Sequence, residues 1–345
     1  LALGGPQGFL KNPVGKETKI GTGRFRKYKG GNIYWSPDTG AWEVHGAILA
    51  KYLQKKGPRG VLGFPRTDEK NGAKAGSKVS RFEHGAVYWS SGTGAWEVHG
   101  AIFARYLLLD AEKSFLGLPR SDEFSVHGGK CSTFQNGKIF WSPSSGAFEV
   151  HGSILARFER LRGTRGFLGF PISNELVVYA KNRKPTTGRL SRFQGGTIYW
   201  SPSSGAFEVH GSIRYQYEQS GGPIGELGFP ITNESSISGT DIRFNDFQKG
   251  IIVWRPGMGA KLMTALRLHI GMVTSSKIDD GLFDKTAELI TKLHVKVNNK
   301  DVHSYKRRPG GHGGSSRNVN YNHTIKPLRH NTKLYFKIRF EDWDK

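Results

Sequence analysis

Five tandem copies of one unit constrain this chain more than any other feature. Anchored on a tryptophan, the copies place Trp35, Trp89, Trp141, Trp200 and Trp254 at spacings of 54, 52, 59 and 54 residues. Seven residues before each stands an aromatic (Tyr28, Phe82, Phe134, Phe193, Phe247), and four before each a glycine (Gly31, Gly85, Gly137, Gly196, Gly250). Five to eleven residues after each of the first four runs GAWEVHG (40–46, 94–100) or GAFEVHG (146–152, 205–211). Between tryptophans lies a second block, LGFP at 62–65, 168–171 and 227–230 and LGLP at 116–119, followed four residues after the proline by Glu69, Glu123, Glu175 or Glu234. The first copy has a degraded LKNP at 10–13 with Glu17, and the fifth ends in GAKLMTA at 259–265. A fixed period of this kind means units that cannot bury their apolar faces alone and that stack on their neighbours.

One repeat reads as hairpin, helix and turn. In the third, Phe134 to Gly137 makes a tight turn, and Lys138–Trp141 is a run of β-formers. SPSSG at 142–146 is turn chemistry, and Ala147–Val150 is the returning strand. Ile154, Leu155, Phe158 and Leu161 then recur at helical spacing, and the LGFP block closes the repeat with a proline stop. Alternation along GAWEVHG puts Trp42 and Val44 on one face, expected to be core, and Glu43 and His45 on the other.

The LGFP block, the period and the aromatic-x-x-Gly…Trp…Gly-Ala-aromatic-Glu-Val-His-Gly run together resemble the LGFP repeat family over residues 4–265. The resemblance implies a mainly β fold with short helices, closed into a propeller-like ring of five repeats with pseudo-fivefold symmetry. It also implies a non-catalytic module of secreted or cell-wall-associated proteins that holds its carrier on wall polysaccharide. Ring closure would remove exposed sheet edges.

The Glu-x-His pairs admit several chemistries. Four copies of one pair with no third partner argue against catalysis, and the chain has no G-x-S-x-G, H-E-x-x-H or phosphate loop. Four histidines round a ring would reach one zinc only by pointing at the axis. Two readings remain: the pairs satisfy backbone groups at the strand–helix junction, or they touch a glycan between neighbouring repeats. On the second reading the ligand-binding residues are Glu43, His45, Glu97, His99, Glu149, His151, Glu208 and His210. The aromatic platforms are Tyr34, Tyr88, Phe140 and Tyr199, each preceding its repeat tryptophan and lying on the opposite strand face.

Charge and composition bound the rest. The net charge of +23 favours anionic partners, but Lys and Arg are spread along the chain rather than gathered in a stripe, which argues against a nucleic-acid footprint. The single cysteine, Cys131, excludes an intrachain disulfide, and no apolar run is long enough to span a bilayer. LALGGPQGFL does not read as a signal peptide, so an exported form would have lost its leader. From residue 266 the pattern becomes period-two runs with Gly-, Asn- and Asp-rich joins, read as a separate small β-sandwich. There, loop residues Asp279, Asp280, Asp301, Asp342 and Asp344 offer oxygen ligands of the kind Ca2+ takes, beside the simpler reading of solvated loops. No other cofactor is expected. The function expected is multivalent binding of cell-wall or cell-surface glycan between repeats. The alternatives are a structural assembly protein without a small ligand, and a salt-dependent binder of anionic polymers including nucleic acid.

Overall fold

The computed structural model describes residues 3–262 in full, and the backbone alone of residue 263 and of the strands in the tail. Residues 1–2, 264–265, 275–288, 298–299, 308–315, 326–333 and 343–345 lie outside the description, as do all side chains from 263 onward. The expectation of Ca2+ at the tail aspartates therefore falls outside the described residues.

Each repeat builds one open, four-stranded antiparallel sheet whose strands follow chain order. In the first these are Thr18–Ile20, Gly23–Tyr28, Gly31–Ser36 and Gly40–His45. The third and fourth strands are the hairpin expected from the sequence, paired from Gly31↔His45 to Ser36↔Gly40. The first two strands were not expected. Their edge members, such as Lys70–Asn71 and Ser235–Ser236, are short, polar and exposed, so they leave no alternating pattern to read. Among the described residues the fold is thus mainly β with four short α-helices, α1 Gly46–Gln54, α2 Gly100–Leu108, α3 Gly152–Arg160 and α4 Gly211–Gln219. No sheet closes on itself among the described residues.

The core lies between repeats rather than within them. One cluster joins Tyr34, Val44, Ile48 and Tyr52 of the first repeat to Leu62, Phe64, Phe82 and Val87 of the second. The next two clusters repeat the arrangement, one repeat further along. In each, the following repeat's tryptophan (Trp89, Trp141 or Trp200) packs against the cluster from outside. The helix tyrosine seals the joint: Tyr52, Tyr106 and Tyr217 donate to the carbonyl oxygens of Gly63, Gly117 and Gly228 at 2.6, 2.7 and 2.7 Å.

The LGFP block is a backbone device. Its leucine and its third residue flank a glycine held at positive φ (Gly63 72°, Gly117 70°, Gly169 65°, Gly228 70°), where a Cβ is strained. In the degraded first block Lys11 takes the same position at φ 59°, so the turn survives loss of its glycine. The residue after each buried phenylalanine then caps the loop, Glu83 accepting from the Phe64 N–H and Gln135, Gln194 and Gln248 from Leu118, Phe170 and Phe229. The glycine four before each tryptophan answers a different need. A Cβ on Gly31 would meet the Val44 carbonyl oxygen at 2.8 Å and the His45 Cβ at 2.7 Å.

The chain divides into two compact units, Leu1–His210 and Gly211–Lys345. The first holds four sheets and α1–α3. In the second, α4 packs on the last two strands of the fifth sheet, Gly250–Arg255 and Gly259–Met263. Beyond it, Leu266–Thr274 pairs with Ser316–Ile325, and Leu289–Val297 lies between Lys300–Arg307 and Leu334–Asp342, all antiparallel.

Candidate functional site

The Glu–His pairs are inter-repeat clasps. Strand alternation assigns Glu43 to the face opposite Val44, yet both are buried, because the following repeat covers the second face. Glu43 Oε1 accepts the Glu69 N–H at 2.9 Å, and Glu43 Oε2 lies 2.7 Å from His45 Nδ1. In return the Glu43 N–H donates to Asp68 Oδ1 at 2.9 Å. Around Glu97 the partners are the Glu123 N–H, His99 and Asp122, and around Glu149 the Glu175 N–H, His151 and Asn174. Glu208 sits 2.7 Å from His210 Nδ1 in the fourth copy. Every buried carboxylate thus meets a donor, the condition for keeping a charge inside.

The acidic residue after each LGFP block completes the clasp. Glu69, Glu123 and Glu175 each bring Oε1 to 3.5 Å from the far ring nitrogen of His45, His99 and His151. Each imidazole therefore lies between an inner and an outer carboxylate. The hydrogen bond to Glu97 raises the His99 pKa, and for His151 burial pulls downward but Glu149 outweighs it. Burial holds Glu69, Glu123 and Glu175 above the usual carboxylate range despite their histidines. Glu97 goes the other way: burial opposes its ionisation, but His99 and Lys55 Nζ, 3.1 Å from Oε1, hold its carboxyl low. A ring with both nitrogens turned to carboxylates is fixed in place and is not a free general base. Among the described residues no cluster of His, Cys, Asp and Glu is arranged to hold a metal ion.

The aromatic assignment needs correction. Tyr34, Tyr88, Phe140 and Tyr199 are all buried, between 1 and 6% exposed, and present no face to a solute. Tyr34, Tyr88 and Phe140 pack edge-on against the helix ring of their own repeat, Tyr34 on Tyr52 at 5.3 Å. The apolar face of the returning strand is also mixed, with Val44 fully buried and Trp42 half-buried. Exposed aromatics stand elsewhere. Phe9, Phe115 and Phe167, each just before the leucine of its LGFP block, are 45, 45 and 50% exposed. Their rings lie 4.6, 4.3 and 4.4 Å from the imidazoles of His45, His151 and His210. In the second repeat Val61 takes this place and is 48% exposed. The sequence signal was present as an apolar residue one step ahead of the block, but it reads as one more core position.

Helices α1–α3 each add a cation to the joint. Lys51 Nζ lies 4.5 Å from the centre of the Trp96 ring and 3.0 Å from Asp122 Oδ2. Arg105 and Arg157 cover Phe148 and Phe207 at 4.9 and 5.0 Å, while their Nε groups donate to the Ala147 and Ala206 carbonyls at 2.6 and 2.8 Å.

Comparison with known proteins agrees with this periodic construction. The family model for the LGFP repeat matches residues 10–60, 62–114, 116–166, 168–225 and 227–266. No curated protein sequence matches the chain. Among solved structures, the extracellular domain of the one-component system BT4673 from B. thetaiotaomicron is 9% identical with a TM-score of 0.13, covering 92% of this chain and 52% of that one. The chain thus spans about half the length of that protein. An exo-beta-1,3-galactanase from Phanerochaete chrysosporium, solved with beta-1,3-galactotriose, is 8% identical with a TM-score of 0.12, covering 94% and 92%. Likenesses this distant carry no argument about this chain. Among the described residues, no helix is long and apolar enough to cross a membrane. Five matched repeats, each with its own sheet and block, make this chain a member of the LGFP repeat family of non-catalytic, cell-surface repeat modules.

Proposed function

We propose that the protein is a non-catalytic carbohydrate-binding module that attaches to cell-wall or cell-surface glycan through several weak, equivalent sites. The observation that carries this reading is the exposed phenylalanine packed at a tilt against a clamped histidine, recurring at Phe9–His45, Phe115–His151 and Phe167–His210. An exposed ring offers a stacking surface for the apolar face of a sugar. Beside it, the outer carboxylates of Glu69 and Glu175 are placed to accept from hydroxyl groups. The inner residues Glu43, Glu97, Glu149 and Glu208 then serve as scaffold for His45, His99, His151 and His210. Single-site affinity is low and adds through multivalency. The net charge of +23 adds attraction for anionic polysaccharide that salt weakens. Secretion or wall attachment, closure of residues 1–265 into a five-repeat ring and a separate β-sandwich over 266–345 belong to the same proposal.

The test is a pull-down on purified cell walls with a glycan panel, at two salt concentrations. Phe9→Ala, Phe115→Ala and Phe167→Ala are expected to lower retention stepwise while melting stays unchanged. A triple variant that binds walls as well as the parent would end this reading.

A further inference from the structure

The third repeat departs from its neighbours at three places that meet around one cavity. Cys131 stands where the other sheets carry Phe25, Val79, Leu190 and Phe244, opposite the buried aromatic column. Phe158 replaces the tyrosine of the other helices, and Lys138 replaces Asn32, Ala86, Thr197 and Ile251. A thiol in place of a branched or aromatic side chain leaves room, and a cavity of about 340 Å3 opens there, floored by Val126, Cys131, Phe140 and Phe158. Burial pushes the Cys131 thiol up to about 12, so it contributes apolar surface and not a nucleophile.

The rim has the opposite character. His127, Lys138, Arg162 and Arg165 line it with one acid, Glu159. Glu159 Oε1 is taken by Lys138 Nζ at 2.6 Å. Neither Arg162 nor Arg165 has a carboxylate within ion-pair distance among the described residues, and both side chains are exposed. An apolar floor beneath a cationic mouth of this size is the complement of a small amphiphile with a negative head. We propose that this cavity binds an apolar-bodied monoanion, a medium-chain carboxylate or its sulfonate equivalent, with the tail on Cys131, Phe140 and Phe158 and the head at Arg162 and Arg165. The site is separate from the Phe–His stations, and the residue changes that open it belong to the third repeat.

Calorimetric titration of the full chain with octanoate, octan-1-ol and octylammonium tests it. Octanoate is expected to bind at one site per chain at least tenfold more tightly than octan-1-ol, with no detectable octylammonium binding. Cys131→Leu, which installs the fourth repeat's residue, is expected to abolish octanoate binding and leave cell-wall retention intact. Arg165→Glu, at the exposed rim, is expected to erase the advantage of octanoate over octan-1-ol and to leave octan-1-ol binding as it was. Absent octanoate binding, equal binding of acid and alcohol, or undiminished binding in a folded Cys131→Leu protein overturns the proposal. Should Cys131→Leu fail to fold, undiminished octanoate preference in Arg165→Glu overturns it alone.

Discussion

The joints of the first unit and the joint around α4 differ at two positions far apart in sequence. In the first three, a cation six residues after the motif histidine (Lys51, Arg105, Arg157) covers the aromatic of the next motif (Trp96, Phe148, Phe207). At the α4 joint the equivalent helix position is Gln216 and the equivalent motif position is Lys261. Had either changed alone, the joint would hold a cation against a cation or an aromatic without its cover. The joint change marks the pair as one interaction, read twice in the same chain. The fifth motif also lacks the clasp residues, since Leu262 stands where the other motifs carry Glu43, Glu97, Glu149 and Glu208. A repeat without the carboxylate also lacks the histidine, which fits an imidazole whose purpose is to neutralise that carboxylate.

The largest effect on this contrast comes from removing a clasp. Glu97→Ala strands His99, the Glu123 N–H and Lys55 together, and is expected to cost about 3–5 kcal/mol in denaturant unfolding. A loss below about 1 kcal/mol would mean the clasp is ornamental. Arg105→Ala removes ring cover and a charged hydrogen bond to the Ala147 carbonyl, with an expected loss of about 2 kcal/mol. Gln216→Arg is expected to destabilise by about 0.5–1 kcal/mol through the nearby charge of Lys261. Combining it with Lys261→Phe should turn that loss into a gain in a double-mutant cycle, and additive effects would break the proposed pairing.

Tyr52→Phe and Phe158→Tyr form a second pair. The first deletes the 2.6 Å bond to the Gly63 carbonyl and is expected to cost about 1 kcal/mol. The second offers the same hydroxyl to the Gly169 carbonyl of the repeat that lacks it, with an expected gain of similar size by thermal melting.

Acidity acts on the clasps around His99 and His151. His99 and His151 titrate above 6.5, so their contribution is complete below that value and is lost as pH rises through the raised values. The raised outer carboxylates of Glu123 and Glu175 work in the same direction, resisting ionisation in the folded state as pH climbs past 4.5. Glu97 and Asp122 oppose this, because their lowered values stabilise above the ordinary carboxylate range and lose effect only as pH falls through them. The unfolding midpoint is expected to decline from mildly acidic pH through neutrality. The slope should flatten in a His99→Gln, His151→Gln double variant, and an unchanged slope would remove the histidines from the account. The smallest expected effect is at Ala111, held at φ 48° where the equivalent positions are Gly57, Gly163 and Gly222. Ala111→Gly should raise stability by about 0.5–1 kcal/mol.

Much of this architecture was legible before any coordinates. The hairpin, the helix and the LGFP turn each leave a local mark: β-formers around SPSSG, apolar spacing from Ile154 to Leu161, and glycine where φ is positive. The first two strands of each sheet were not legible. Segments such as Lys70–Asn71 and Ser235–Ser236 are short, exposed strands paired through their backbone and put no alternating pattern into their side chains. The site was half legible. Glu43 and His45 stood out, and Glu69 was visible as a repeated acid, but nothing in the sequence joined them. Asp68, Asp122 and Asn174 passed unnoticed because an Asx side chain capping a strand N–H some twenty-five residues away has no local signature.

Local order was settled along the chain: five units, their turns, and the alternation that puts Val44 and Glu43 on opposite faces. Which face would meet water was settled only in three dimensions. Alternation predicts one wet face per strand, but a strand covered on both sides by consecutive repeats has none there, so Glu43 is as buried as Val44. The same stacking hides Tyr34 and leaves Phe9 in the open, because burial belongs to the neighbour a residue meets and not to the residue itself.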